Sequence, residues 1–477
     1  MIRVQEERDR IAVARVYEAS QQHIFRWWEE LDEKQRRRLL AQVGGLDFQL
    51  VGEFARMLRS ETRRQSQRLH GDLRPPDVVR LPRTSSERER MRRARVVGER
   101  LLSEGKVAVV TAAGGQATRM GIDGPKGAVP FGVITGKCLF HIFSERILAL
   151  RRRHGALLPW FIMVSDATRE PTERLFEKNS NFGLAKGSVR FFSQKMTPAL
   201  DRRGRLIMES RDRIFMNPDG HGGMLEGMAK AGVLEELSRG GIEYLFYFQV
   251  DNPAVKVADP VMLGLHAEAD AEFSAKVIEK RDPHERLGLF VVEDGRTVVK
   301  EYTEVPTRTA EERDDAGRIR FWAGSIAVHV FSVAFLRRLI EEGVRLDYHI
   351  ALKAVPHIDK SGRRVVSRQP NAFKFERFVF DVARHTERVL LVETAREEEF
   401  LPIKDRAGPA SLKAAQRGSV NMFGRWLESC GVTVPRDEDG NVDGLIEISP
   451  LFALDAEELK RKVKPGTSFE GSLCLEP

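Results

Sequence analysis

The chain has 477 residues, of which 31% are charged and 42% hydrophobic; this suits a folded chain of two or three domains and excludes a disordered or fibrous one. The formal net charge of +8 invites a nucleic-acid reading, but the excess is dense only between Arg74 and Arg100, where arginines alternate with glutamates. Alternating signs describe a solvated helix face, and no aromatic platform accompanies them, so no nucleic-acid partner is expected.

The opening residues Glu6 to Arg10 lack the apolar core of a secretory leader. No apolar run approaches the ~20 residues of a membrane span, so no membrane partner is expected. Ile24, Trp27, Trp28, Leu31, then Leu39, Leu40, Val43, then Val51, Phe54, Met57 and Leu58 recur at helical spacing, and Gly44-Gly45 divides two of these helices. A helical N-terminal region over 1–103 follows. From Lys106 the character changes. Val107–Thr111, Trp160–Val164 and Tyr244–Val250 read as buried strands, separated by helical patterns at Leu139–Arg153 and Gly223–Ser238. This alternation predicts an α/β domain over 104–408 with a mixed, mainly parallel sheet flanked by helices. Strands near Phe290–Val292, Thr297–Tyr302 and Val389–Glu393 predict an antiparallel extension. A small C-terminal domain over 409–477 carries a helix near Leu412–Trp426. Cys138, Cys430 and Cys474 lie far apart without pairing or zinc spacing, so they read as free thiols of a cytoplasmic protein.

The loop after the first strand, Ala112-Ala113-Gly114-Gly115-Gln116-Ala117-Thr118-Arg119, followed by Pro125-Lys126-Gly127, carries the chemistry. Glycines after a buried strand let backbone N–H groups approach a phosphate. Arg119 adds a planar fork and Lys126 a compact charge. The loop lacks the Gly-Lys-Ser/Thr ending of a P-loop and the G-x-G-x-x-G of dinucleotide binders.

This segment resembles the signature loop of the UDP-sugar pyrophosphorylases, departing at Ala117, where that family has glycine. Phe192–Ala199, Met216–Gly223, Val250–Asn252 with Val255–Pro260, Ala275–Lys280, Val299–Tyr302, Phe373–Asp381, Glu399–Lys404 and Ile446–Leu451 are similar to further segments of the UDP-N-acetylhexosamine branch. The resemblance implies a nucleotide-diphospho-sugar transferase (Rossmann-like) fold. It implies a nucleotide site at Ala112, Ala113, Gly114, Gly115, Lys126, Gln194, Gly220 and Asp251, with Gln194 reading uracil. It puts the sugar at His221, Gly288, Glu301, Tyr302 and Ser325, Mg²⁺ on Asp251 with Asp381 as a second candidate, and catalytic charge on Arg119, Lys126 and Lys404. His221 and Ser325 stand where the acetylhexosamine enzymes carry Asn.

The implied reaction is uridylyl transfer from UTP to a hexose 1-phosphate, N-acetylglucosamine 1-phosphate first, with glucose 1-phosphate as the alternative. The sugar phosphate is already an anion, so no general base is required and charge neutralisation is the main task. The sequence also admits a catalytically silent sugar-nucleotide-binding protein, which the four charged matches oppose, and an RNA-binding protein acting through the arginine-rich helix. A monomer or weak oligomer is expected.

Overall fold

The computed structural model describes residues 2–64, 73–463, 469 and 471–477. The chain forms two compact units. The first comprises Met1–Gly71, Lys195–Gly223 and Leu346–Val379, the second Asp72–Gln194, Met224–Arg345 and Phe380–Pro477. This differs from three consecutive segments. Helix Ser85–Ser103, expected in the N-terminal region, belongs to the second unit, as does the C-terminal segment. Residues 65–72, 464–468 and 470 of the expected regions lie outside the described residues.

The second unit is built on a ten-stranded sheet. Its strands are β1 Leu73–Arg74, β2 Val107–Ala112, β3 Trp160–Val164, β4 Val189–Ser193, β5 Tyr244–Gln249, β6 Phe273–Glu279, β7 Leu289–Glu293, β8 Arg296–Lys300, β9 Ala323–Ser332 and β10 Val389–Glu393. The main path runs β1-β7-β9-β5-β2-β3-β4, with β8 on β7 and β6 between β9 and β10. Strands β5, β2, β3 and β4 are mutually parallel. Val107 to Val110 and Trp160 to Val164 are buried along their whole length, as strands covered on both faces require. The polar exception, Thr111, is satisfied by Trp160, whose Nε1 donates to Thr111 Oγ1 at 2.7 Å.

One strand runs against expectation. β7, β8 and β9 are antiparallel neighbours, but β10 pairs parallel to β6. The chain reaches β10 from β9 through a long excursion, so it can enter in the same direction as β6; a tight hairpin could not do this. Helix Leu139–His154 ends at Gly155, whose φ of +74° makes it a left-handed stop. The expected helix Gly223–Ser238 is two, Met224–Lys230 and Val233–Arg239, parted at Gly232 with φ +68°.

The arginine-rich helix Ser85–Ser103 starts on a reciprocal Thr84–Glu87 capping box. It lies against helix Pro260–Glu268 so closely that a Cβ on Gly98 would stand 1.9 Å from the Pro260 carbonyl oxygen, and one on Gly264 1.7 Å from that of Ala94. The small face is therefore turned inward, and Arg88, Arg90, Arg92 and Arg93 stand exposed. The C-terminal segment packs helix Leu412–Ser429 and the parallel pair Leu445–Ile448 and Ser472–Leu475 around Trp426, Leu427 and Ile446.

In the first unit, helices Glu7–Glu18, Glu33–Gly44 and Phe48–Arg64 bury Val13, Val16, Leu39, Val43 and Phe54 with Leu200, Ile214 and Phe375 from the later segments. Phe54 and Phe375 stack at 3.8 Å, the kind of burial that stabilises by about 1.5–3 kcal/mol per side chain. The Ile24–Leu31 stretch, helical in its spacing, forms two 3₁₀ turns, Gln22–Phe25 and Trp28–Glu30. Asp32 opens the next helix with its own capping box, which leaves that stretch too short for a stable helix. Trp28 is buried edge-on to Phe25, and Trp27 lies under Arg26 and Arg211. Among the described residues, no helix is long and apolar enough to cross a membrane, and the three cysteines are free.

Candidate active site

The glycine loop leaves the end of β2 and closes on itself. Ala117 N–H donates to the Gly124 carbonyl at 2.9 Å and Lys126 N–H to that of Gly115 at 3.1 Å. Ser165 Oγ, just after β3 at the start of helix Asp166–Lys178, donates to the Gly114 carbonyl at 2.8 Å. Gln194 follows β4 at the same end of the sheet and is buried. Its side chain lies directly over the loop: a Cβ on Gly114 would meet Gln194 Oε1 at 2.3 Å, so any larger residue there would displace the Gln194 amide. Gly127 is fixed for a different reason, since a Cβ there would enter the Phe140 ring at 2.1 Å. Ala113 is buried in the core, so its backbone is what it can offer a ligand, and Ala112 is partly buried.

Ala117 has φ −85°, a conformation open to any residue, and its methyl is fully buried in the hydrophobic core. The departure from glycine therefore fills the core; it neither restricts the loop nor narrows a nucleotide pocket.

Asp251 stands just beyond β5 and is 7% exposed. Lys126 Nζ donates to its Oδ2 at 2.7 Å. Burial alone would push the Asp251 carboxyl up, but Lys126, Lys404 and Arg119 reverse this and hold it below the usual carboxylate range. Three cations from separate stretches of sequence thus act on one buried carboxylate. Three cations held in place by the fold can meet anionic charge without further rearrangement.

Gly288, Glu301 and Ser325 also converge. A Cβ on Gly288 would stand 3.6 Å from Glu301 Oε1 and 3.9 Å from Ser325 Cβ. Ser325 N–H donates to the Gly288 carbonyl at 2.8 Å, and Ala327, at φ +54°, turns its N–H to Ser325 Oγ at 3.3 Å. The Tyr302 side chain is 43% exposed. Asp381 is buried in the 3₁₀ segment Val379–His385.

Gly220 and His221 belong to the first unit. Gly220 has φ +84°, and a Cβ on it would lie 2.4 Å from the Arg377 carbonyl oxygen. Arg377 and Asp219 form a buried ion pair, and Arg377 N–H donates to the Asp219 carbonyl at 2.6 Å. The Val379 N–H donates to His221 Nδ1 at 3.0 Å, and the ring lies 5.2 Å from that of Phe378. That bond leaves Nε2 to carry the proton of the neutral ring.

Sequence reasoning missed the groups that brace these residues. Asn252 Nδ2 donates to the Glu399 carbonyl at 2.8 Å, and its Oδ1 accepts from Leu401 N–H at 3.0 Å. Lys276, 1% exposed, bonds Asp259 at 2.6 Å and Glu399. All four stand inside segments that resemble the pyrophosphorylases, but nothing in the sequence gave them a role.

Residues 53–409, more than half of the chain, match the family model described as UTP–glucose-1-phosphate uridylyltransferase. The Xenopus tropicalis UDP-N-acetylhexosamine pyrophosphorylase-like protein 1 is 36% identical, over 94% of this chain and 93% of its own length. The Saccharomyces cerevisiae UDP-N-acetylglucosamine pyrophosphorylase is 30% identical, over 93% and 95%. The crystal structure of the uridine diphosphate N-acetylglucosamine pyrophosphorylase from Trypanosoma brucei in complex with inhibitor superposes with a TM-score of 0.80 at 27% identity, covering 99% of both chains. With a glycine loop and a cationic cluster at the ends of its parallel strands, and with these relatives along nearly all of its length, the chain belongs to the UTP–glucose-1-phosphate uridylyltransferase family of UDP-sugar pyrophosphorylases.

Proposed function

We propose that the chain transfers the uridylyl group of UTP to N-acetylglucosamine 1-phosphate, giving UDP-N-acetylglucosamine and pyrophosphate. The observation that carries this reading is the convergence of Arg119, Lys126 and Lys404 on buried, ionised Asp251 beside the glycine loop. The names of the Xenopus and yeast relatives support the choice of sugar.

In the step itself an oxygen of the sugar 1-phosphate attacks the α-phosphorus of UTP in line. The bond from that phosphorus to the bridging β-oxygen breaks, and its electron pair leaves with pyrophosphate. Arg119, Lys126 and the loop N–H groups hold the departing charge, and Lys404 screens the incoming phosphate from the nucleotide. Gln194, lying over Gly114, offers uracil a donor and an acceptor side by side. Gly288, Glu301 and Ser325 receive sugar hydroxyls.

Mg²⁺ fits Asp251 on chemical grounds. Among the described residues no three His, Cys, Asp or Glu side chains gather into a full cage, and Mg²⁺ characteristically takes one or two carboxylates and completes its shell with phosphates and water. When bound it would neutralise phosphate charge beside Asp251, with Asp381 the second candidate. Lys126, paired with Asp251 here, holds the carboxylate ionised for that exchange.

His221 and Ser325 favour a second reading on the sugar side. A protonated Nε2 offers a donor but no acceptor, and Ser is shorter than Asn, which suits glucose 1-phosphate. The test is turnover of the full-length chain with UTP, Mg²⁺ and a panel of sugar 1-phosphates. Release of pyrophosphate fastest with N-acetylglucosamine 1-phosphate supports the first reading; faster release with glucose 1-phosphate replaces it with the second. Release with neither sugar removes both.

A further inference from the structure

Lys404 stands in a segment, Leu401–Lys404, that has no regular secondary structure. A charge in such a segment is only as well placed as the backbone that carries it. That backbone is bonded at every second residue to one short stretch. The Glu399 carbonyl accepts from Asn252 Nδ2 at 2.8 Å, Leu401 N–H donates to Asn252 Oδ1 at 3.0 Å, and Ile403 N–H donates to the Asp251 carbonyl at 2.8 Å. The Asn252 amide thus takes the place of a strand neighbour, supplying a donor and an acceptor two residues apart. Asp, Ser or Thr would supply only one of them reliably.

The same segment is pinned from its other side. Glu399, 2% exposed, is bonded by Lys276 Nζ and accepts from Thr394 Oγ1 at 2.5 Å, while Lys276 also reaches Asp259 at 2.6 Å. A buried ion pair is weak evidence for stability but well suited to fixing one register. Ile403 is fully buried, and Lys404 N–H donates to the Ala410 carbonyl at 2.8 Å.

We infer that Asn252 is a positioning residue of the transfer reaction: its side-chain amide, with the Asp251 carbonyl beside it, locks the Glu399–Ile403 backbone to the end of β5 and so sets where the Lys404 ammonium stands relative to the Asp251 carboxylate. The inference rests on the reading of Lys404 given above. A displacement of about 1 Å at such a group is enough to cost roughly a hundredfold in rate.

The test is steady-state kinetics and calorimetric UTP binding on the full-length wild type, Asn252→Ala, Lys404→Ala and the double variant, with Asn252→Ser as the milder form. Asn252→Ala is expected to lower kcat by roughly 10- to 100-fold while UTP affinity stays within about threefold. In the Lys404→Ala background the same substitution is expected to lower kcat by less than about twofold, because the group it positions is gone. Asn252→Ser, which keeps one of the two bonds, is expected to fall between, and it carries the test if Asn252→Ala does not fold. A purely structural role would instead lower thermal stability, leave kcat per folded molecule unchanged, or lower it equally in both backgrounds; any of these overturns the inference. If Lys404→Ala itself turns over like wild type, the reading of Lys404 falls and this inference with it. If Lys404→Ala is impaired and Asn252→Ala is not, only this inference falls.

Discussion

The cluster around Asp251 and the turn Asp219–Gly223 solve different problems. The first is organised by charge: Arg119, Lys126 and Lys404 act on one buried carboxylate, and a second buried set, Lys276 with Asp259 and Glu399, braces the segment that carries Lys404. The second is organised by close backbone packing around the buried Arg377–Asp219 pair: Gly220 is pressed on the Arg377 backbone, and His221 accepts from the Val379 N–H and lies beside the Phe378 ring. Charge proposed to meet several phosphates leaves few choices of residue type, and at Arg119, Lys126, Asp251 and Lys404 the sequence resembles the pyrophosphorylase pattern. A hydrogen-bonding surface for a sugar can be built in several ways. The resemblance puts His221 and Ser325, two of the three departures from that pattern, at the sugar; the third, Ala117, is buried in the core.

The largest effect that would break this contrast lies in the buried brace. Lys276→Met removes the buried cation that Asp259 and Glu399 share and leaves them Lys256, 3.6 Å from Glu399 Oε1, and a loss of about 3 kcal/mol is expected in denaturant unfolding. Burial alone would push the Asp259 carboxyl up and Lys276 down; each reverses the other's shift, so Asp259 is held below and Lys276 above its ordinary range. A depressed carboxyl contributes stability that is complete above its unfolded pKa and is lost as pH falls through the lower folded value. A raised lysine contributes stability that is complete below its unfolded pKa and is lost as pH rises through the folded one. The Tm gap between wild type and Lys276→Met is therefore expected to be widest in the neutral range and to shrink in acid. A gap that stays constant into strong acid contradicts the pairing.

Next in size are the charges themselves. Lys404→Ala is expected to lower kcat by about 10²- to 10³-fold with UTP binding little changed, and Arg119→Ala to damage both. Single-turnover rates separate the two, and normal chemistry in Lys404→Ala would remove it from the reaction.

The sugar side is expected to respond less. His221→Asn should shift the kcat/KM ratio of N-acetylglucosamine 1-phosphate to glucose 1-phosphate upward by roughly three- to tenfold. An unchanged ratio would mean that His221 does not set the sugar. Smallest of all is Ala117→Gly. Its methyl lies in the core and its φ is −85°, so the expected loss is about 1–2 kcal/mol of stability with no change in UTP KM. A changed KM would show that the methyl acts on the nucleotide.

What could be read from the sequence follows the reach of its signals. The glycine loop, the strand end at Asp251 and the parallel run of β2, β3 and β5 are local patterns, and each was legible from a few consecutive residues. The direction of β10 was not, because a strand's pattern says nothing of which edge it joins after a long excursion. The supports of the site were hidden for a related reason. Asn252 meets the Glu399 backbone across 147 residues, Lys276 meets Glu399 across 123, and Arg377 meets Asp219 across 158. Each of these, read alone, is an ordinary polar residue near a strand or turn. Nor could spacing reveal that the N-terminal helices take Leu200 and Phe375 into their core.

The central claim, that these charges bring about attack of a sugar phosphate on the α-phosphorus of UTP, is tested most directly by following the phosphorus atoms. A ³¹P NMR time course of the full-length chain with UTP, Mg²⁺ and N-acetylglucosamine 1-phosphate is predicted to show equal growth of pyrophosphate and of the two coupled resonances of a nucleoside diphosphate sugar. Both signals should be lost together in Lys404→Ala. Persistence of UTP, or growth of inorganic phosphate in place of pyrophosphate, would contradict the account.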